Sequence, residues 1–325
     1  MTGLIKWLLV LLTLVLLTGL SLGTGVVSMD WSSLLNASST DPQAIIFWEI
    51  RFPKTATAIL AGFSLALSGL IMQTLFRNPL AGPYELGVSS GATLGVAIWI
   101  LVMQKTSFSG LVFSALAGGV CTLILVLLFS TRVQGASLLI VGLMLGYMAG
   151  GLVGVLVYFS QDNAMRSFLI WSFGTFSATG TQHLIWIFSV VLLCLLPLPL
   201  LAKPMNLILL GEEMAQSMGV RVLRIKAVMI ILSSSLAAVC TAFCGPIAFL
   251  GLAVPHAARA LFCTEDHRFL IPACALLGAC MALAADVFSQ FPQSGQILPL
   301  NSIMAIIGGP TVIYLLLKGN HEASA

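Results

Sequence analysis

Few side chains in this 325-residue sequence could do chemistry, and most of those sit in or beside apolar runs. Arg51 and Lys54 open a long apolar stretch three residues apart, on one face of any helix formed there. Such cations either snorkel to a membrane surface or meet acidic groups of a partner. His256 and Asp286 lie inside apolar segments, where an ionisable group is a functional candidate by default. The competing readings are a hydrogen-bonded structural histidine after Pro255 and a carboxylate that caps or pairs near an interface. Glu85, close to the Pro79–Pro83 break, is a weaker candidate, and Asp266-His267-Arg268 reads as a solvated turn or a contact for a partner subunit. Cys240 and Cys244 would share a helix face, but no second pair or histidine completes a metal set, so all seven cysteines read as small core residues. The chain contains no G-x-x-x-x-G-K-[ST] loop for a nucleotide and no H-E-x-x-H or nucleophile–base constellation for an intramembrane enzyme. No catalytic residue and no bound metal or cofactor is therefore expected.

Residues 210–219 form a different kind of candidate. Leu210, Met214 and Met218 recur at i, i+4 and i+8, Glu212 and Glu213 stand where the first helical turn favours anions, and Gly219 is a natural stop. The spacing predicts a short amphipathic helix that either lies on a membrane surface or docks in a protein groove.

The elements that must position these groups follow from composition. Hydrophobic residues make up 59% of the chain and charged residues 8%, against roughly 25% charged in a soluble domain. Most of the surface must therefore face lipid, where backbone groups are paired internally by helices or a closed barrel. The apolar runs are about 20 residues long rather than alternating stretches of about 10, which selects helices. Spans are predicted near 5–27, 55–76, 86–103, 109–130, 136–159, 183–202, 223–244, 248–263, 269–290 and 301–318, with longer connections at 28–47 and 160–182 and a short helix around Ala164–Trp171. The first run, long and without a clear cleavage site, reads as a retained helix. The fold class is an all-α polytopic membrane protein, a single transmembrane domain over 1–325. Gly142, Gly146 and Gly150 form one seam for helix contact, and Gly-Pro breaks at Asn78–Pro83 and Gly245-Pro246 shorten their neighbours. Lys6, Arg77, Arg132, Lys203, Arg221, Arg224, Lys226, Arg259, Arg268 and Lys318 fall on one side, and Arg51, Lys54, Lys105 and Arg166 on the other. This bias puts both termini in the cytoplasm. The net charge of +3 gives no sign of nucleic-acid binding.

The run Arg51-Phe52-Pro53-Lys54, Ser68 to Pro83 with its Gln-x-x-x-x-Asn-Pro-Leu-Ala turn, and Leu86 to Ala92 resembles the FecCD/BtuC-like permeases of iron-siderophore, haem and cobalamin importers. Gly211-Glu212-Glu213-Met214-Ala215, Met218-Gly219-Val220, Gly245 to Leu252, Pro255-His256, Arg259, Asp266-His267-Arg268, Pro272, Ala285-Asp286 and Gly308-Gly309-Pro310 extend the match in order along the chain. The resemblance implies a type II ATP-binding-cassette (ABC) importer permease of the bacterial inner membrane. It implies a homodimer with two ATPase subunits that use ATP and Mg, and a periplasmic or lipoprotein substrate-binding protein. By resemblance, Gly211, Glu212, Glu213, Met214, Ala215, Met218 and Gly219 form the ATPase-coupling helix. Arg51 and Lys54 match the cations that receive the binding protein, and Asn78, Leu80, Gly135 and Ala136 match gating positions of the pathway. Two departures bear on docking: Ile297-Leu298-Pro299-Leu300-Asn301 replaces a Glu-Leu-Pro-x-Gly pattern, and Gln290 stands where a basic residue often follows the Ala-Asp pair. An iron-siderophore chelate is the expected cargo, with haem or cobalamin as alternatives. An ion-coupled secondary transporter is a more distant reading, since Asp286 is the one carboxylate near a span interior.

Overall fold

A long apolar stretch in lipid has one way to satisfy its backbone, and every described element is helical. The computed structural model describes residues 2–25, 42–84, 86–133, 136–290 and 298–310. The helices are α1 (Thr2–Gly23), α2 (Pro42–Phe76), α3 (Val88–Val102), α4 (Phe108–Ser130), α5 (Ala136–Tyr158), α6 (Asp162–Ser172) and α7 (Thr181–Leu195). They continue as α8 (Leu198–Leu210), α9 (Glu212–Ser217), α10 (Val222–Cys244), α11 (Leu250–Phe262), α12 (His267–Ser289) and α13 (Leu300–Pro310).

Where it is described, each predicted apolar segment falls on a helix, with 26–27 and 311–318 of the first and last lying outside the described residues, but not every one is a full span. Six helices are long and apolar enough to cross a bilayer, and the α7–α8 pair, bent by 49° at Leu196-Pro197, makes a seventh. The expected spans 86–103 and 248–263 are corrected to the shorter α3 and α11. At 1.5 Å per residue these reach roughly 20 Å, against a hydrocarbon core of about 30 Å. Each is preceded by non-helical chain, residues 78–84 and 86–87 before α3 and 245–249 before α11. The lead-in to α3 packs on the first turn of α11, where a Cβ on Gly251 would lie 2.6 Å from Pro83 Cδ. Irregular backbone at that depth is tolerated because protein surrounds it.

The start of α2 is the other difference. It begins at Pro42 rather than near 55, and carries a π-helical stretch over Ile46–Arg51. The connection predicted at 28–47 overlaps the first turns of this helix over 42–47.

Helix α2 is the axis of the molecule. From Ala61 to Phe76 only Phe63 is not buried. It packs against α10, α11 and α12 through small residues rather than large apolar ones. A Cβ on Gly62 would lie 2.3 Å from the Gly278 carbonyl oxygen of α12, and one on Gly69 would lie 1.7 Å from that of Gly251 in α11. Lipid supplies no hydrophobic drive between helices, so close backbone approach and interhelical hydrogen bonds hold them. Ser68 and Ser233 provide a reciprocal pair, each hydroxyl within hydrogen-bond reach of the other's carbonyl oxygen at 2.8 and 3.1 Å. Outward, α1, α4 and α5 present exposed leucine, valine and phenylalanine (Leu8, Leu12, Phe113, Leu128, Leu152) as a lipid-facing surface. The predicted Gly142–Gly150 seam is used at one end only: the backbone at Gly142 and Gly146 packs on Gly87, whereas Gly150 has no neighbour within 4 Å of a built Cβ.

Candidate coupling and gating sites

Helices α2 and α12 run antiparallel, so the candidate residues gather at two ends of the bundle. At one end the Lys54 ammonium lies 3.0 Å from Asp286 Oδ2, with both side chains almost fully buried. The same oxygen accepts from Ser21 Oγ of α1 at 2.8 Å and from Gln290 Nε2 at 3.1 Å. Arg51 donates through Nη1 to the Leu22 and Gly23 carbonyls at the end of α1, at 2.8 and 2.7 Å. Cations at a helix C-terminus meet the negative pole of its dipole. Arg51 and Lys54, the two cations matched by resemblance to binding-protein docking, are each 4% exposed, and each holds groups of this chain. Asp286 is the pairing carboxylate that one of the two sequence readings expected.

The opposite end carries α9. Gly211 separates it from α8 with φ +125° and ψ 149°, and Gly219 ends it at φ +84°. The Val220 N–H bonds Ala215 O at 3.0 Å and the Gly219 N–H bonds Gln216 O at 2.9 Å, a Schellman closure that requires the left-handed glycine. The helix is thus shorter than predicted, and Leu210 belongs to α8 rather than to the same stripe. All three stripe residues are nonetheless exposed, Leu210 by 64%, Met214 by 48% and Met218 by 54%. Ala215 is buried on the inner side, and Glu212 pairs with Lys226 of α10, which anchors the helix to a full span. Glu213 is exposed.

The same end of the bundle holds the break after α2. Arg77 ends the helix in the left-handed region (φ +46°). Asn78 Oδ1 accepts from Leu80 N–H at 2.9 Å, and Asn78 O accepts from Ala81 N–H at 3.1 Å, which closes a tight turn. His256 Nε2 lies 2.8 Å from the Pro79 carbonyl. A carbonyl only accepts, so Nε2 carries the hydrogen and His256 is the structural histidine of the first reading. Leu80 stays 47% exposed at the tip, Ala136 opens α5, and Gly135 lies outside the described residues, as does Glu85.

The turn Asp266-His267-Arg268 departs from its sequence reading. His267 is fully buried rather than solvated. Asp266 caps α12 by accepting from Arg268 N–H at 3.0 Å, and Asn206 Nδ2 of α8 donates to the same oxygen at 2.7 Å. These two donors, the backbone N–H first, hold the Asp266 carboxyl below its ordinary range. His267 contacts Asn206 Oδ1 through Nδ1 (2.6 Å) and Thr74 Oγ1 through Nε2 (2.7 Å). Gln73 of α2 accepts from Arg259 Nη1 and donates to Leu252 O, while Arg259 Nε also reaches Glu265 at 2.9 Å. Asn206, Thr74 and Ser21 were not singled out from the sequence, and Gln73 entered only as the first residue of the Gln-x-x-x-x-Asn-Pro-Leu-Ala motif. A lone Asn inside the apolar Met205–Leu210 run was the available signal, since a polar side chain there must find a partner. No group of three or more metal-ligating side chains occurs among the described residues.

These features (an external handle, broken half-spans, a polar bundle end) can be set beside known proteins. The model of the FecCD transport family matches residues 11–318. The chain belongs to the FecCD transport family. It has the fold of an ABC importer permease. Among relatives of this FecCD chain, the hemin transport system permease HmuU of Yersinia pestis is 36% identical over 321 residues, covering 96% of each chain. The vitamin B12 import permease BtuC of Salmonella arizonae is 36% identical over 320 residues, covering 97% of this chain and 94% of its own. A structure solved as an inward-facing conformation of an ABC transporter assigned to the metal-chelate type superposes with a TM-score of 0.86 at 33% identity, over 95% of this chain and 97% of that one. PsaBC from Streptococcus pneumoniae in complex with Fab shares the fold, with a TM-score of 0.55 at 16% identity over 81% of this chain and 90% of its own. The FecCD fold therefore accounts for the broken spans: they belong to a transport bundle.

Proposed function

We propose that this FecCD permease moves an iron-siderophore-type chelate across the bacterial inner membrane, driven by ATP hydrolysis in a separate subunit. The observation that carries the reading is α9: exposed Met214 on it, flanked by exposed Leu210 before and Met218 after, on a short helix that is pinned from behind by Ala215 and by Glu212 to Lys226. A helix held so firmly while its apolar side stays open is built to be gripped. The working assembly in this reading is a homodimer with two ATPases below and a substrate-binding protein above. The α9 end faces the cytoplasm, with both termini on that side. The segregation of basic residues supports this orientation: Arg77, Arg132, Arg221 and Arg224 lie at helix ends near α9, whereas Arg51, Lys54, Lys105 and Arg166 lie at the far end. The Asn78–Ala81 turn, with Leu80 at its tip, narrows the cytoplasmic mouth. Arg51 and Lys54 brace the outer ends of α1, α2 and α12, the surface that the binding protein meets. Direct docking on Lys54 would require taking it from Asp286. Haem or cobalamin is the second cargo reading, favoured by the hemin and vitamin B12 permeases among the relatives.

The test is reconstitution of the permease with its ATPase and binding protein in proteoliposomes. ATP-dependent uptake of a labelled ferric siderophore is expected, together with loss of uptake when Glu212 and Glu213 are both changed to Lys. Uptake of haem or cobalamin alone would reassign the cargo, and ATP-independent uptake driven by an ion gradient would overturn the importer reading.

A further inference from the structure

We propose that Asn206 is a positioning residue that carries displacement of α9 to the gating turn at Asn78–Ala81. The inference rests on the importer reading above and adds the route by which the handle acts on the mouth.

Asn206 stands four residues before Leu210, where α8 ends against Gly211 and α9 begins. The helix between them is one turn long, a stiff lever of about 6 Å at 1.5 Å per residue. The orientation of the Asn206 amide is not free. Its Nδ2 faces the Asp266 carboxylate, which only accepts, and its Oδ1 faces the His267 backbone N–H at 3.0 Å, which only donates. With Oδ1 committed as acceptor, its contact with His267 Nδ1 makes that nitrogen the hydrogen-bearing one. One amide thus ties α8 to the cap, the backbone and the ring at the start of α12.

The ring passes the connection on. His267 Nε2 reaches Thr74 Oγ1 of α2, and Gln73 O accepts from Asn78 N–H at 3.1 Å, the first bond of the gating turn. A parallel branch runs from Gln73 through Arg259 to Glu265, in the short connection that ends at Asp266. The turn is held from its far side as well, by His256 on Pro79 O. From α8 to the turn every joint is a described hydrogen bond or a single helical step; the Thr74 hydroxyl, which also lies 2.9 Å from Leu70 O, has one hydrogen to share between that carbonyl and His267 Nε2. Thr74 and His267 are buried, so water does not compete for their contact. Packing alone does not call for a primary amide at position 206: its neighbours Met205 and Leu207 are apolar, and a leucine has the same branched four-atom side-chain outline. Contiguity of this kind becomes coupling only when both ends bias one element, which is what the experiment must show.

The measurement is cargo moved per ATP hydrolysed by the full complex in proteoliposomes, with ATPase assembly and thermal unfolding followed in parallel. Asn206→Leu is expected to assemble and hydrolyse ATP, while cargo per ATP falls about tenfold, within the roughly 5–150-fold range of coupling between sites. Thr74→Val removes the hydroxyl at constant shape and is expected to lower the same ratio, whereas Thr74→Ser restores it. An Asn206→Leu variant that is less stable yet moves as much cargo per ATP as the parent would overturn the proposal and leave Asn206 a purely structural residue. Should Asn206→Leu fail to assemble, an unchanged ratio in Thr74→Val overturns it equally. Absence of ATP-driven uptake by the parent complex would instead refute the importer reading, so the two failures are told apart.

Discussion

Changing Lys54 to Met removes one member of the ion pair that closes the outer end of the bundle. The Asp286 side chain is 5% exposed, so its charge stays buried once the ammonium is gone. Loss of one partner of a buried pair costs about 3–5 kcal/mol. Ser21 and Gln290 remain as donors to the same oxygen, which places Lys54→Met at the lower end, about 3 kcal/mol. Asp286→Leu is the harsher change. It strands an ammonium that is 6% exposed and has no other ion pair among the described residues, and about 4 kcal/mol is expected. Removing both charges together leaves two apolar side chains in an apolar site, and replacement of a whole buried pair is often close to neutral. The double variant should therefore lie within about 2 kcal/mol of the parent, far below the sum of about 7 for independent sites. Unfolding of the purified chain in mixed micelles by increasing denaturing detergent reads these differences directly. Additive losses in the double variant, or single losses below about 1 kcal/mol, would refute the buried pair and the bracing role given to it.

The α2 contacts make a second test: Gly69→Ala puts a methyl group 1.7 Å from the Gly251 carbonyl and should cost about 3 kcal/mol in the same unfolding assay. Gly151→Ala, which meets nothing within 4 Å, should leave unfolding of the single chain unchanged or slightly improved. The Asp266 cap gives a pH signature. A carboxyl whose folded pKa is depressed stabilises the fold above its unfolded value and loses that contribution as pH falls through the folded one. The stability gap between parent and Asp266→Ala should therefore hold steady above the ordinary value of 3.8 and close below it, and a gap independent of pH would reject the charged cap.

Lipid as solvent made the class of fold and the place of nearly every apolar segment legible, because a run of about 20 apolar residues has few alternatives. Hydropathy could not separate a full span from α3 or α11, because the apolar runs there continue from non-helical chain into a shorter helix. The same limit hid the first turns of α2. Arg51 and Lys54 read as cations that snorkel or meet a partner, and Asp286, more than two hundred residues later, turned out to neutralise one of them. The handle was legible because its signals are local: two glycines, two acids in a first turn and a stripe at helical spacing. Its neighbours were not. Asn206, Gln73 and Thr74 acquire meaning from partners 61, 186 and 193 positions away, and no periodicity carries that information.

The glycine crossings have a mechanical corollary. Where α2 meets α11 and α12 the backbones touch with no side chain between them, so no rotamer can yield and no cushion can be compressed. A slip of even one residue along the axis would drive a Cβ or a carbonyl into the neighbouring chain. The three helices are splined together and must travel as one piece. Whatever strokes this machine makes are left to the parts not so keyed, the 49° elbow between α7 and α8 and the open glycines of α5.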